Sequence, residues 1–168
     1  MKYIMMIFAM ALLLLVGCEY EAPLTKNHSI AIDPALLGLW EEIPNEGESS
    51  DQDDRMMILK YSDTEYLIHY PTEDGIYYRG YPIKIEGISC VQIQIIGTDD
   101  GSPEKDETEL FHVISYLLRE GQLEIKVLNT DLVDDDLKTT DKLVQAFLEQ
   151  KDNKELFTDP GLFRRVKK

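Results

Sequence analysis

The sequence predicts a mainly β domain: an antiparallel meander that closes into a barrel and carries one C-terminal amphipathic helix. Three observations support this fold class. Apolar and polar residues alternate with a period of two through most of the chain after residue 34. Short polar or glycine-containing turns join the alternating runs, so neighbouring runs are expected to pair as hairpins. A long meander leaves two unpaired edges unless it closes on itself, which favours a barrel.

Seven segments show the alternation. It is clearest where Tyr66, Ile68 and Tyr70 share one face of a strand. Pro82 cannot donate a hydrogen bond to a neighbouring strand, so its part of the fourth segment is predicted to lie at an edge or a bulge. The predicted strands are 38–43, 55–61, 65–70, 76–86, 88–96, 109–119 and 122–129.

One helix and one further strand follow. Thr140 is a plausible N-cap, and the helix is expected to end near 151–153. Its apolar stripe is predicted to pack on the barrel rather than to await a partner. A turn at Pro160 and Gly161 then leads into a closing strand at 162–166. The stripe consists of Leu143, Val144, Phe147 and Leu148.

Charge and length limit the function. The 168 residues include 17 basic and 32 acidic side chains, for a formal net charge of −15. Phosphate backbones are bound by clustered Lys and Arg, so no nucleic acid partner is expected. A chain of this length can bury its own core without metals or disulfides. We therefore predict one domain at 34–168, with no cofactor and no metal.

The N-terminus has the organisation of an export signal. Lys2 is followed by uncharged residues rich in Leu, Met and Ile up to residue 17, and Glu19 comes directly afterwards. Such a stretch is typical of a secretory signal peptide, and it is shorter than the about 20 residues that span a bilayer. An uncleaved anchor is the alternative interpretation.

The end of this stretch, Leu15-Val16-Gly17-Cys18, resembles the bacterial lipobox. The resemblance implies that 1–17 is a signal peptide and that Cys18 carries a diacylglyceryl group, with a further acyl chain such as palmitate on its amino group. Two or three chains anchor a protein stably. The expected location is the bacterial cell envelope, with the protein facing the periplasm or the exterior. A disulfide between Cys18 and Cys90 would need an unlipidated protein, and Cys90 is otherwise expected to be a small buried side chain.

The segment between the lipobox and the domain is predicted to be a tether. Residues 19–33 contain Pro23 and lack a clear hydrophobic period. The predicted organisation is therefore a signal peptide at 1–17, a lipidated cysteine and tether at 18–33, and the domain at 34–168. A fully extended tether of this length would span at most about 50 Å.

The start of the domain, DPALLGLW at 33–40, places a helical turn before a strand that bears Gly-x-Trp. This is similar to the opening of lipocalin-type (calycin) barrels. The resemblance implies that Trp40 plugs one barrel end and that a late basic residue crosses over it. We choose Arg165 for that role over Arg164, because Arg165 shares the inward parity of Phe163. The alternatives are an ordinary core tryptophan and a solvated basic tail. The strands look short, and the Thr-Asp-Tyr motif of the lipocalins is missing from the sequence.

Motifs for catalysis or metal binding do not occur in the sequence. It contains no Gly-x-Ser-x-Gly, no His-Glu-x-x-His and no P-loop. His69 and His112 occur singly on predicted strands. The acidic clusters 46–54, 99–109 and 131–136 offer oxygen ligands to calcium, but none has the EF-hand spacing. We therefore predict solvated loops and a protein that is not an enzyme.

Tyrosines concentrate on the predicted strands, and four are candidates for lining an amphipathic ligand cavity: Tyr66, Tyr70, Tyr81 and Tyr116. Tyrosine is equally a favoured strand residue, and a small barrel can be filled by its own side chains. We predict a lipid-anchored exported binding or interaction module of unknown partner, which is either a protein or a small amphipathic ligand. The alternative is a lipocalin-like carrier of a small amphipathic ligand. An apolar cavity above about 300 Å³ would favour the carrier, and a filled barrel with an exposed apolar patch would favour the module.

Overall fold

The computed structural model describes residues 19–44, 55–71, 75–103 and 109–166. The predicted signal peptide, Cys18 and the acidic cluster 46–54 lie outside the described residues. Eight antiparallel strands follow one another around a closed barrel, and the last pairs with the first. They are β1 (Gly38–Glu42), β2 (Arg55–Lys60), β3 (Tyr66–Tyr70), β4 (Ile76–Ile85), β5 (Ile88–Thr98), β6 (Phe111–Arg119), β7 (Gln122–Leu128) and β8 (Phe157–Arg165).

The predicted fold class is confirmed: the domain is mainly β, an antiparallel meander closed into a ring, with one C-terminal helix, α1 (Thr140–Glu149). Strand β8 is longer than the predicted closing strand. Pro160 and Gly161 lie inside it rather than in a preceding turn. Asp159 has a positive φ of 51°, and the register of β7 against β8 shifts between Ile125 and Val127. Such a bulge accommodates a proline that cannot donate to the ladder.

The two ends of the barrel differ in their connections. At one end, the plug end, β4 joins β5 and β6 joins β7 through two-residue turns. Glu86 and Gly87 form the first turn, Glu120 and Gly121 form the second, and all four have positive φ. This is the conformation of tight hairpin turns that match the strand twist. The longer connections β1–β2, β3–β4, β5–β6 and β7–β8 lie at the other end, the loop end.

The barrel interior contains a cluster of buried side chains with members from every strand. Inward-facing residues alternate with outward-facing ones, so Met56 and Ile58 are buried while Leu59 is exposed. The buried interior cluster consists of Ile32, Leu36, Trp40, Met56, Ile58, Tyr66, Ile68, Tyr78, Val91, Ile93, Ile114, Leu123, Val127 and Phe163.

A second buried layer lies on the outer wall of the barrel. Leu143 and Phe147 of α1 are completely buried in a cluster that includes Ile83, Cys90 and Leu128. The helix therefore packs on the wall, as its apolar stripe predicted. Thr139 occupies the N-cap position that was predicted for Thr140, and the Thr140 hydroxyl donates to the carbonyl oxygen of Pro23 at 2.8 Å. Burial raises the pKa of the Cys90 thiol to about 12, so Cys90 is an unreactive core residue.

Residues 19–33, predicted to be a tether, pack along the outer wall, and we call this segment the strap. Tyr20 pairs with Phe111 through two backbone hydrogen bonds of 2.8 and 2.9 Å. The amide of Leu24 donates to Gln92 Oε1 at 2.7 Å, and the amide of Ile32 donates to the carbonyl oxygen of Asp63 at 3.1 Å. Tyr20, Ala22 and Leu24 are buried. They alternate with polar residues or proline, a pattern too short to distinguish a packed strand-like segment from a linker.

Candidate functional site

Trp40 closes the core at the plug end. It is completely buried, and its indole Nε1 donates to the carbonyl oxygen of Leu36 at 2.8 Å. Trp40 and Arg165 are paired positions of β1 and β8. The guanidinium carbon of Arg165 lies 4.4 Å from the centre of the indole ring. This is within the range of a favourable cation–π interaction.

Arg165 also joins the strand ends to the turn Pro34–Leu36. Its guanidinium donates to the carbonyl oxygen of Leu37 at 2.7 Å and to that of Ala35. A Cβ at Gly38 would lie 2.7 Å from an Arg165 nitrogen, and the φ of Gly38 is +137°. Glycine is therefore required there. Arg164 lies on the outer wall, where its hydrogen bond to Glu41 lowers the pKa of that carboxyl.

Three of the four candidate tyrosines belong to the barrel interior. The hydroxyl of Tyr66 accepts from the amide of Asp33 at 2.7 Å, and burial raises the pKa of Tyr66 to about 12. The hydroxyl of Tyr70 donates to Glu42 Oε2 at 2.7 Å. Tyr70 and Tyr116 pack against the interior cluster as partly buried residues. These rings are therefore part of the packing of the barrel.

Tyr81 lies apart from the other three, on the outer wall beneath the strap. Its hydroxyl donates to the carbonyl oxygen of Thr25 at 3.3 Å and accepts from the side chain of Gln92. The ring of His28 stacks on it with centroids 3.5 Å apart. The four predicted cavity tyrosines therefore do not belong to one cluster. The strap and α1 bury the outer face of β4, so alternation alone could not tell which face of this strand is the barrel interior.

A buried carboxylate also holds the strap. Glu65 is 7% exposed. It lies 2.8 Å from His28 Nδ1 and accepts from Arg79 Nε at 3.1 Å. The hydrogen bond from Arg79 is the main cause that lowers the pKa of Glu65. Because the folded-state pKa is lowered, this carboxylate stabilises the fold above its ordinary pKa and the contribution is lost as pH falls. No sequence signal indicates this cluster, because its members come from three distant segments.

The two strand histidines have different partners. His69 Nε2 lies 3.3 Å from Asp99, and the His69 ring stacks on Tyr77 at 4.1 Å. His112 meets the edge of Tyr78 at 6.5 Å. The backbone amide of Gly75 donates a hydrogen bond to the Asp99 carboxylate, and this bond is the main cause that lowers the pKa of Asp99. A His–Asp pair can orient an imidazole, but covalent chemistry also needs a nucleophile.

The described residues offer neither a cluster of metal ligands nor a membrane-spanning helix. Within 19–44, 55–71, 75–103 and 109–166, no group of three or more His, Cys, Asp or Glu residues could hold a metal ion. In the same part of the chain, no helix is long and apolar enough to cross a membrane.

Two surface depressions lie on the outer wall. One, of about 380 Å³, lies between the strap, the end of β4 and α1, with Leu24, Ile83 and Val144 among its lining residues. The other, of about 290 Å³, lies near the end of α1 and includes Lys126 and Phe157. The lining residues of both depressions include no member of the interior cluster.

A patch of apolar side chains lies on the opposite part of the wall, and we call it the β1–β3 patch. It consists of Leu39, Met57, Leu59 and Leu67. Leu39 is paired with Met57, and Leu59 is paired with Leu67, so all four share the outer face of three neighbouring strands. Leu59 is 42% exposed. The other three side chains are partly exposed. Contiguous apolar side chains at a surface are typical of interaction sites.

The fold and these surfaces define a closed antiparallel β-barrel with a cluster of buried side chains inside it, a strap and a partly exposed apolar patch on its wall. No protein-family model matches the chain, and neither a curated protein nor a solved structure matches it significantly.

Proposed function

We propose that this chain is a lipid-anchored, exported binding module that is not an enzyme and contacts a protein partner through the outer wall of its barrel. The observation that carries the proposal is the cluster of buried side chains inside the barrel together with the partly exposed β1–β3 patch. A carrier needs an apolar space that can enclose a ligand. Here the inward side chains occupy that space themselves.

The chemistry of the wall fits a protein partner. The β1–β3 patch places four apolar side chains side by side, and the neighbouring Tyr61 is 62% exposed. An exposed aromatic ring beside aliphatic side chains resembles the composition of interface cores. Burying such side chains is favourable by about 25 cal/mol per Å² of apolar surface. A protein surface can cover this patch without entering the barrel.

The lipobox supports the anchor. Leu15-Val16-Gly17-Cys18 lies at the end of the uncharged stretch of the leader. Acyl chains on Cys18 would hold the barrel at a membrane of the bacterial cell envelope, facing the periplasm or the exterior. A module confined to a membrane surface meets its partner at a raised effective concentration, so a modest apolar patch is sufficient for association.

Replacing Cys18 by alanine is expected to abolish lipid attachment, because alanine has no thiol to accept the diacylglyceryl group. Metabolic labelling with an alkyne fatty acid should mark the wild type and leave the Cys18→Ala variant unmarked. Cys90→Ala is the matched control, since it removes the other cysteine of the chain and should keep the label. Label retained by Cys18→Ala would refute the anchor.

Native mass spectrometry of residues 19–168 tests whether the protein is an interaction module or a carrier of a small ligand. We expect the polypeptide mass alone, because the interior is occupied by side chains. A small amphipathic molecule that co-purifies would support the carrier instead, provided that Tyr116→Ala releases it. Tyr61→Ala is the control, because Tyr61 is 62% exposed on the surface and should not affect a ligand inside the barrel.

A further inference from the structure

We propose that the loop end of the barrel faces the lipid bilayer and that the plug end points away from it. The partner of this end is thus a lipid surface. The inference rests on the proposed lipidation of Cys18 and adds an orientation to it. It follows from the place where the strap leaves the barrel.

The strap is fixed at the loop end by its first described residues. Tyr20 pairs with Phe111, the first residue of β6, through backbone hydrogen bonds in both directions. Tyr20 is completely buried, and its hydroxyl donates to the carbonyl oxygen of Val133 at 2.9 Å. Phe111 follows the β5–β6 connection, and Val133 lies in the β7–β8 connection. Both connections belong to the loop end.

Glu19 lies at the same end. Burial raises the pKa of the Tyr78 phenol to about 12, and the charge of Glu19 contributes to the shift. Tyr78 belongs to the interior cluster and stands near the start of β4, which is at the loop end. Glu19 directly precedes Tyr20, whose backbone pairs with Phe111, so the chain leaves the barrel at this end.

The distance from this point to the acyl chains is short. Cys18 is the residue before Glu19, and two residues span at most about 7 Å. From Tyr20 the strap crosses the wall and reaches the plug end, where the amide of Ile32 meets Asp63. Turning the plug end toward the membrane would require most of the strap to leave the wall. A free tether would allow any orientation, whereas a packed strap allows one.

The charge of the loop end sets how closely it approaches the lipid. In the sequence, the four connections of this end, 43–54, 71–75, 99–110 and 129–156, together carry 21 carboxylates and five lysines. Anionic headgroups repel such a surface over about 8 Å at physiological ionic strength. The acyl chains hold this end near the bilayer, and we expect it to approach neutral lipid more closely than anionic lipid.

Energy transfer from a single tryptophan to a dansyl headgroup measures the orientation. Trp40 is the only tryptophan of the chain, so Trp40→Phe gives a background without tryptophan. Ile96→Trp then places a donor near the loop end, and Tyr61→Trp places one in the β2–β3 turn of the plug end. The two positions are 44% and 62% exposed, so both tolerate a large side chain.

The full lipidated protein is reconstituted into phosphatidylcholine vesicles that contain dansyl-phosphatidylethanolamine. We expect transfer from Ile96→Trp to be several-fold more efficient than from Tyr61→Trp. Replacing half of the phosphatidylcholine by phosphatidylglycerol should lower the Ile96→Trp transfer, and added salt should restore it. If Trp40→Phe does not fold, the same comparison is made between the wild type, whose Trp40 marks the plug end, and Ile96→Trp in the wild-type background.

The mass of the N-terminal peptide separates the two proposals. Cys18 without acyl chains overturns the proposed anchor and the orientation with it. An acylated protein with equal or stronger transfer from Tyr61→Trp overturns the orientation and leaves the proposed function intact. Acylated protein with dominant transfer from Ile96→Trp supports both.

Discussion

Replacing Phe163 by alanine is expected to lower the free energy of unfolding by about 3–5 kcal/mol, the usual cost of removing a buried phenylalanine ring. Phe163 is 5% exposed and lies in β8, which joins β7 to β1. Its ring meets the edge of Tyr70 with centroids 5.8 Å apart. Loss of the ring leaves a cavity at the seam that closes the barrel. Urea denaturation followed by circular dichroism measures the change.

Leu162 supplies the matched control because it is the neighbouring residue and is 42% exposed on the outer wall. Leu162→Ala should cost less than about 1 kcal/mol, as expected for a substitution at the surface. Ending the chain after Gly161 removes Phe163 and every β1–β8 pair, so it should destabilise at least as much as Phe163→Ala. If the truncated protein has the same melting temperature as the full-length protein, the pairing of β1 with β8 contributes little to stability.

Leu24→Ala is expected to destabilise the protein by about 2–5 kcal/mol, because Leu24 is 2% exposed in the cluster formed with α1. The effect is a direct measure of whether the strap belongs to the fold. A free linker would tolerate the change without cost. Thermal and urea denaturation of residues 19–168 measures the change in the free energy of unfolding.

Ile30 is the control within the same segment, because it is 38% exposed. Ile30→Ala should change the free energy of unfolding by less than about 1 kcal/mol. Equal small effects of Leu24→Ala and Ile30→Ala would contradict the packing of the strap. The short distance between the barrel and the acyl chains on Cys18 would then no longer follow.

Period-two alternation was sufficient to predict the strands and their order, because each strand has one face in the barrel core. The pattern at Tyr66, Ile68 and Tyr70 matches β3 for this reason. Alternation also distinguished Arg165 from Arg164, since parity relative to Phe163 sends neighbouring side chains to opposite faces. The structure places Arg165 over Trp40.

The same pattern could not predict which buried face is the interior. Tyr81 and Tyr66 are equally buried, yet one lies under the strap and the other lies inside the barrel. Strand β4 has buried side chains on both of its faces. Alternation with a period of two does not indicate which of these faces points into the barrel. The bulge at Pro160 and the cluster around Glu65 depend on contacts between distant segments, which local patterns do not contain.

Closure of the barrel also determines the order in which the chain can fold. Trp40 in β1 pairs with Arg165 in β8, which lies more than a hundred residues later. In a chain that is synthesised from its N-terminus, the hairpins β4–β5 and β6–β7 can form first, because their turns have two residues and their loop-closure entropy is small. Strand β1 keeps one edge unpaired until the last residues are available. During that interval the large net negative charge of the chain opposes pairing between the open edges of neighbouring molecules.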